Sequence, residues 1–79
     1  MNQLEFESHL MRGSLVIVRW TNCGNQWQAP GWVSKLNRRS LRVTLSEAIE
    51  GHYPTGQEII IPRSLAKEWS TSNCVLPND

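Results

Sequence analysis

The run Leu15-Val16-Ile17-Val18-Arg19-Trp20 restricts this chain more than any other segment. Its β-branched and aromatic residues favour extended backbone, and the turn formers Thr21-Asn22-Cys23-Gly24-Asn25 follow it directly. In a strand, Leu15 and Ile17 point one way while Val16, Val18 and Trp20 point the other. Apolar residues on both sides call for cover on both sides, as in a small closed barrel. With 79 residues in all, the chain has room for one domain, near the lower limit at which a single core suffices without staples.

Further short strands follow. Asn22 to Pro30 reads as a long hairpin loop, because proline cannot donate to a sheet ladder and Ala29-Pro30-Gly31 therefore marks an edge, a bulge or a loop end. Gly31 to Leu36 reads as the second strand and Asn37-Arg38-Arg39-Ser40 as a turn. Leu41-Arg42-Val43-Thr44-Leu45 alternates cleanly, with Leu41, Val43 and Leu45 inward and Arg42 and Thr44 outward. Ser46 to Gly56 is a loop punctuated by Gly51, Pro54 and Gly56. Gln57 to Pro62 is a fourth strand, and Cys74-Val75-Leu76 can add a short last one. Between them, Arg63 to Trp69 suits a single helical turn that Ser64 can cap. Residues 77–79 read as a frayed tail.

The first twelve residues form a lead-in to this domain. Leu4, Phe6 and Leu10 fit a strand period, while Phe6 and Leu10 also suit one face of a short helix. A helical or irregular segment that packs Phe6 and Leu10 over an open end of the core fits best.

A long first loop, a tight middle hairpin and a one-turn helix before the last of about five strands resemble an SH3-like small β-barrel, over residues 13–76. The resemblance is architectural and names no family. It implies a mostly all-β fold and leaves function open, because such barrels serve as peptide binders, nucleic-acid binders, subunits and scaffolds. The acidic loops and peptide-docking aromatics of signalling SH3 domains have no counterpart; the Asn22–Pro30 loop contains no acid.

Charge is unevenly spread. Gly13 to Arg42 holds five cations (Arg19, Lys35, Arg38, Arg39, Arg42) and no acid, whereas Val43 to Asp79 carries five acids against two cations. Such asymmetry speaks about partners rather than fold. Lys35, Arg38, Arg39 and Arg42 are half of the 8 cationic side chains, and all lie on the central hairpin. Arg19 can join them across a sheet. Trp27 and Trp32 flank the same region, two of 4 tryptophans in a short chain. Cations that hold phosphates and aromatics that stack bases are the materials of nucleic-acid surfaces. The plainer reading makes the arginines solvated surface and Trp32 core. Trp20, at the end of an apolar strand, belongs in the core.

Other chemistry finds little support. Cys23, Cys74, His9 and His52 are too scattered for the close ligand pairs of structural zinc sites. Ser64-Leu65-Ala66-Lys67 has the spacing of a serine–lysine nucleophile motif, but that chemistry needs a deep, shielded site. Glu47 and Glu50 read as solvated loop residues. No enzyme activity, metal, cofactor or small-molecule substrate is expected. The N-terminus lacks a basic start followed by an apolar run, and no stretch reaches the ~18 apolar residues of a membrane span. The expectation is a cytoplasmic protein with reduced thiols.

Two functional expectations follow. The first is nucleic-acid binding through Lys35, Arg38, Arg39 and Arg42, with Trp27 or Trp32 and with Arg19 in support. The second is a protein-interaction or homodimerisation module that uses Trp69 and the Ile59-Ile60-Ile61 strand, with Ile59 and Ile61 as contact residues.

Overall fold

The computed structural model of the protein describes residues 3–63 and 72–78. One helix, α1 (Gln3–Ser8), leads into five strands: β1 (Leu15–Asn22), β2 (Asn25–Leu36), β3 (Ser40–Leu45), β4 (Glu58–Pro62) and β5 (Cys74–Pro77). They form one antiparallel sheet in the order β4-β3-β2-β1-β5. Among the described residues it is an open sheet, with β4 and β5 as its edges, although β4 also approaches β1 and β5 across the core. The helical turn expected at Arg63–Trp69, with Ser64, Lys67 and Trp69, lies outside the described residues beyond Arg63.

The first hairpin corrects the expected long loop. β1 and β2 are joined by a two-residue turn, Cys23-Gly24, with φ of 53° and 79°. Positive φ at both positions is the primed turn whose twist matches that of the flanking strands. β2 then continues straight through Pro30. The register places Pro30 opposite Ile17, and its carbonyl accepts from the Ser46 amide on the β3 side (3.0 Å). Its nitrogen faces that same side, one position past the end of β3 at Leu45. A missing donor costs little where the ladder has ended.

Gly31 explains how closely β2 and β3 lie together there. A Cβ at this buried position would fall on the Thr44 carbonyl oxygen, with Val43 Cγ1 at 3.0 Å. Only glycine lets β3 cross so near. Farther along, the β2–β3 register shifts between Val33 and Lys35, which marks a β-bulge.

One face of the sheet makes the core. Val16, Val18, Trp20, Ala29, Val33, Leu41, Val43, Leu45, Ile59, Ile61 and Val75 form a single buried cluster. Phe6 and Leu10 pack against it, as the lead-in pattern suggests, together with Trp27, Leu36, Ile49 and Tyr53. Burying each large apolar side chain contributes roughly 1.5–3 kcal/mol. The opposite face is largely uncovered: Leu15 stays 66% exposed, and Trp32 and Ile60 are exposed as well. β1 is thus apolar on both faces but fully covered on only one.

Candidate nucleic-acid interface

The site is built around the β2–β3 hairpin. Leu36 pairs with Leu41 and Lys35 with Arg42, so two cations stand directly opposite one another on the uncovered face. Like charges in such a cross-strand pair repel. Arg42 relieves part of this through Glu58 on β4, but its Nη1 is 3.9 Å from the carboxylate and both side chains are well exposed. An ion pair of that length in water holds only weakly. Arg38 and Arg39 form the exposed tip of the hairpin.

A fifth cation joins this group from outside the hairpin. β3 and β4 pair so that Ser40 faces Pro62, which sets the next residue, Arg63, beside the hairpin tip. The Arg63 amide donates to the Arg39 carbonyl (2.9 Å), and its Nη1 donates to the Asn37 carbonyl (3.0 Å). The tip is pinned again by the Asn37 amide donating to the Ser40 carbonyl (2.9 Å) and by Asn37 Nδ2 donating to Ser40 Oγ (3.2 Å). Five cations therefore share one end of the sheet: Lys35, Arg38, Arg39, Arg42 and Arg63. Arg63 was legible in principle, since a β3–β4 hairpin ending at Pro62 must return to the start of β3.

Trp32 belongs to the same face. It lies between Leu15 on β1 and Thr44 on β3, with Arg42 two residues before Thr44. Trp32 is 36% exposed. Beside it opens a shallow depression of about 440 Å³ lined by Arg12, Gly13, Trp32, Val33 and Ser34. The Ser34 hydroxyl donates to the Arg42 carbonyl (3.0 Å), tying the depression to the basic strand.

Trp27 and Arg19 do not join this group. Trp27 is eight residues before Lys35 on β2, roughly 26 Å at ~3.3 Å per residue, and it pairs with Trp20 on the core side. Its ring meets Tyr53 at 5.5 Å and His52 at 4.5 Å, and Trp20 meets Tyr53 edge-on at 5.1 Å. Asn22 Nδ2 donates to the Tyr53 hydroxyl (2.7 Å) and locks that end. Arg19 faces Gln28 and Cys74, and its Nε donates to Gln28 Oε1 (3.1 Å). It stands seven β2 positions from the Lys35 level.

The candidates for protein contact separate in the same way. Ile59 and Ile61 are 9% and 1% exposed and face the core, because alternation along β4 leaves only Ile60 outside. Their expected surface role is corrected by that burial. Trp69 lies outside the described residues. Cys23 is exposed in the first turn and Cys74 is buried in β5, and no disulfide joins them. Burial pushes the Cys74 thiol above its usual pKa, and the nearby Arg19 charge opposes that shift. Among the described residues, no three His, Cys, Asp or Glu side chains group to hold a metal, and no helix is long and apolar enough to cross a membrane.

Against known proteins, no family model, curated protein or solved structure matches this chain.

Proposed function

We propose that this protein is a non-enzymatic nucleic-acid-binding module of SH3-like architecture, acting through the uncovered face and basic end of its sheet. One observation carries the reading. Folding gathers Lys35, Arg38, Arg39, Arg42 and Arg63 around one hairpin, with Glu58 as the acid set against them. Phosphate contacts from such a group supply sequence-independent affinity that weakens with salt. Trp32, on the same face, supplies a platform for a base. Arg19 and Trp27 lie too far along the strands to share one short stretch of ligand with that group. A cytoplasmic setting accords with Cys23 and Cys74 not being joined in a disulfide.

The test is fluorescence anisotropy of a labelled mixed-sequence oligonucleotide, titrated with protein over a range of salt concentrations. Binding should weaken steeply with salt. Arg38→Ala with Arg39→Ala should weaken it about tenfold and flatten the salt slope by about 1.4, the share of two phosphate contacts on a single strand. Binding indifferent to salt and to this double substitution would refute the reading.

Protein interaction is a second reading, favoured by the exposure of Leu15, Ile60 and Met11. It predicts association that survives high salt and fails with Leu15→Ser or Ile60→Ser, measured by sedimentation for a homodimer.

A further inference from the structure

We infer that the depression beside Trp32 is a slot for one unpaired nucleobase, stacked on the indole, with the Arg12 guanidinium holding the phosphate of that nucleotide. This rests on the nucleic-acid reading above and narrows it to single strands. It also brings into the site a residue of the N-terminal lead-in.

Several features shape the slot for this ligand. Its volume, about 440 Å³, falls within the ~300–1,000 Å³ typical of small-ligand sites. One wall is the exposed indole of Trp32, a flat π-face that accepts any base. Gly13 also lines it, held at φ +93°, where an added Cβ would meet no atom within 4 Å. The space beside Gly13 is thus open. Gly13 is fixed in position, because its amide donates to the Val33 carbonyl (2.7 Å) and the Val33 amide donates to the Ser14 carbonyl (2.9 Å).

Arg12 supplies the charge. It lines the slot and is exposed, and no hydrogen bond or ion pair engages it among the described residues. Its counterparts across the strand are Lys35, three positions beyond Trp32 and roughly 10 Å along β2 at ~3.3 Å per residue, and Arg42 opposite Lys35. The pairing of Gly13 and Ser14 with Val33 runs Arg12 toward the Lys35 end of β2, so a strand whose base enters the slot meets Arg12 there and can continue onto the basic hairpin. A base paired within a duplex presents only its edge and cannot lie flat on Trp32.

The experiment compares three probes of equal length by anisotropy and by tryptophan fluorescence: a mixed-sequence single strand, its full duplex, and an abasic single strand. Wild-type protein should bind the single strand on the order of tenfold more tightly than the abasic strand, with quenching by the former alone. Trp32→Ala should erase that difference, and Trp32→Phe should restore part of it. Arg12→Gln should weaken the single and abasic strands by a similar severalfold factor, because it removes a phosphate contact and leaves the stacking platform. Equal binding of single and abasic strands by the wild type, or equal binding of single strand and duplex, would overturn the slot while the basic-hairpin reading stands. Binding of none of the probes would overturn both.

Discussion

The two ends of β2 differ in what they present: packed aromatics at one end and exposed cations at the other. At the Cys23-Gly24 end, Trp20 and Trp27 face each other across the hairpin and turn their rings onto Tyr53, in a neutral pocket lined by Asn22, Cys23, Asn25, Trp27, His52 and Tyr53. At the Asn37–Ser40 end, cations replace aromatics, and Trp32 looks away from the core. The same residue type packs against the core at one end and is exposed at the other. Strand alternation decides which: Trp27 is on the parity of Ala29 and Val33, whereas Trp32 is on the parity of Pro30 and Gln28.

Breaking the aromatic end should cost the most. Trp20→Ala removes a buried ring from that cluster and should lower stability by ~3–5 kcal/mol in denaturant unfolding. Trp32→Ala in the same assay should stay within about 1 kcal/mol, since its ring is already partly in water. If the two substitutions cost alike, the division of labour along β2 is mistaken.

The next effect lies midway between the ends. Gly31→Ala forces a methyl group onto the Thr44 carbonyl and against Val43. It should destabilise the fold by ~1–3 kcal/mol through displacement of β3. Unchanged thermal unfolding would show that the close β2–β3 crossing is dispensable.

A smaller effect sharpens the basic end. Glu58 accepts the long ion pair from Arg42 and lies within 3.4 Å of the Ser34 hydroxyl. Glu58→Gln should strengthen oligonucleotide binding severalfold by freeing Arg42, and should change stability by less than about 0.5 kcal/mol. Weaker binding in this variant would mean that Glu58 orients Arg42 for its ligand.

The smallest effect concerns β5. The Cys74 thiol is buried, and its folded pKa is raised by that burial. The folded state therefore holds the proton more tightly than the unfolded chain does. Its contribution to stability is complete below the unfolded thiol pKa and is lost as pH rises through the folded value. Thermal unfolding should move slightly lower at alkaline pH, less so in Cys74→Ala. In thiol labelling at neutral pH, exposed Cys23 should react well before Cys74.

Much of this architecture is legible in the sequence where periodicity is strong. The alternation in Leu41–Leu45, the β-branched run at Leu15–Trp20 and the proline-stopped Ile59–Ile61 run each give a strand close to its observed limits. The first hairpin is not legible, because Pro30-Gly31 carries every mark of a loop. Its tolerance depends on β3 stopping at Leu45, a fact of register rather than composition. The site is legible only in part for a related reason. Lys35, Arg38, Arg39 and Arg42 are neighbours along the chain, so their grouping follows from one hairpin. Arg12 and Arg63 come from distant segments that only strand pairing brings alongside.

The most direct test of the central claim is chemical-shift mapping of the ¹⁵N-labelled protein with a short mixed-sequence single strand at low salt. Shifts are expected for the Trp32 indole and for residues 12–13, 34–42 and 63, while the Trp20 and Trp27 indoles and residues 22–25 stay in place. Shifts concentrated at Asn22–Trp27 and His52–Tyr53, with the basic hairpin silent, would contradict it.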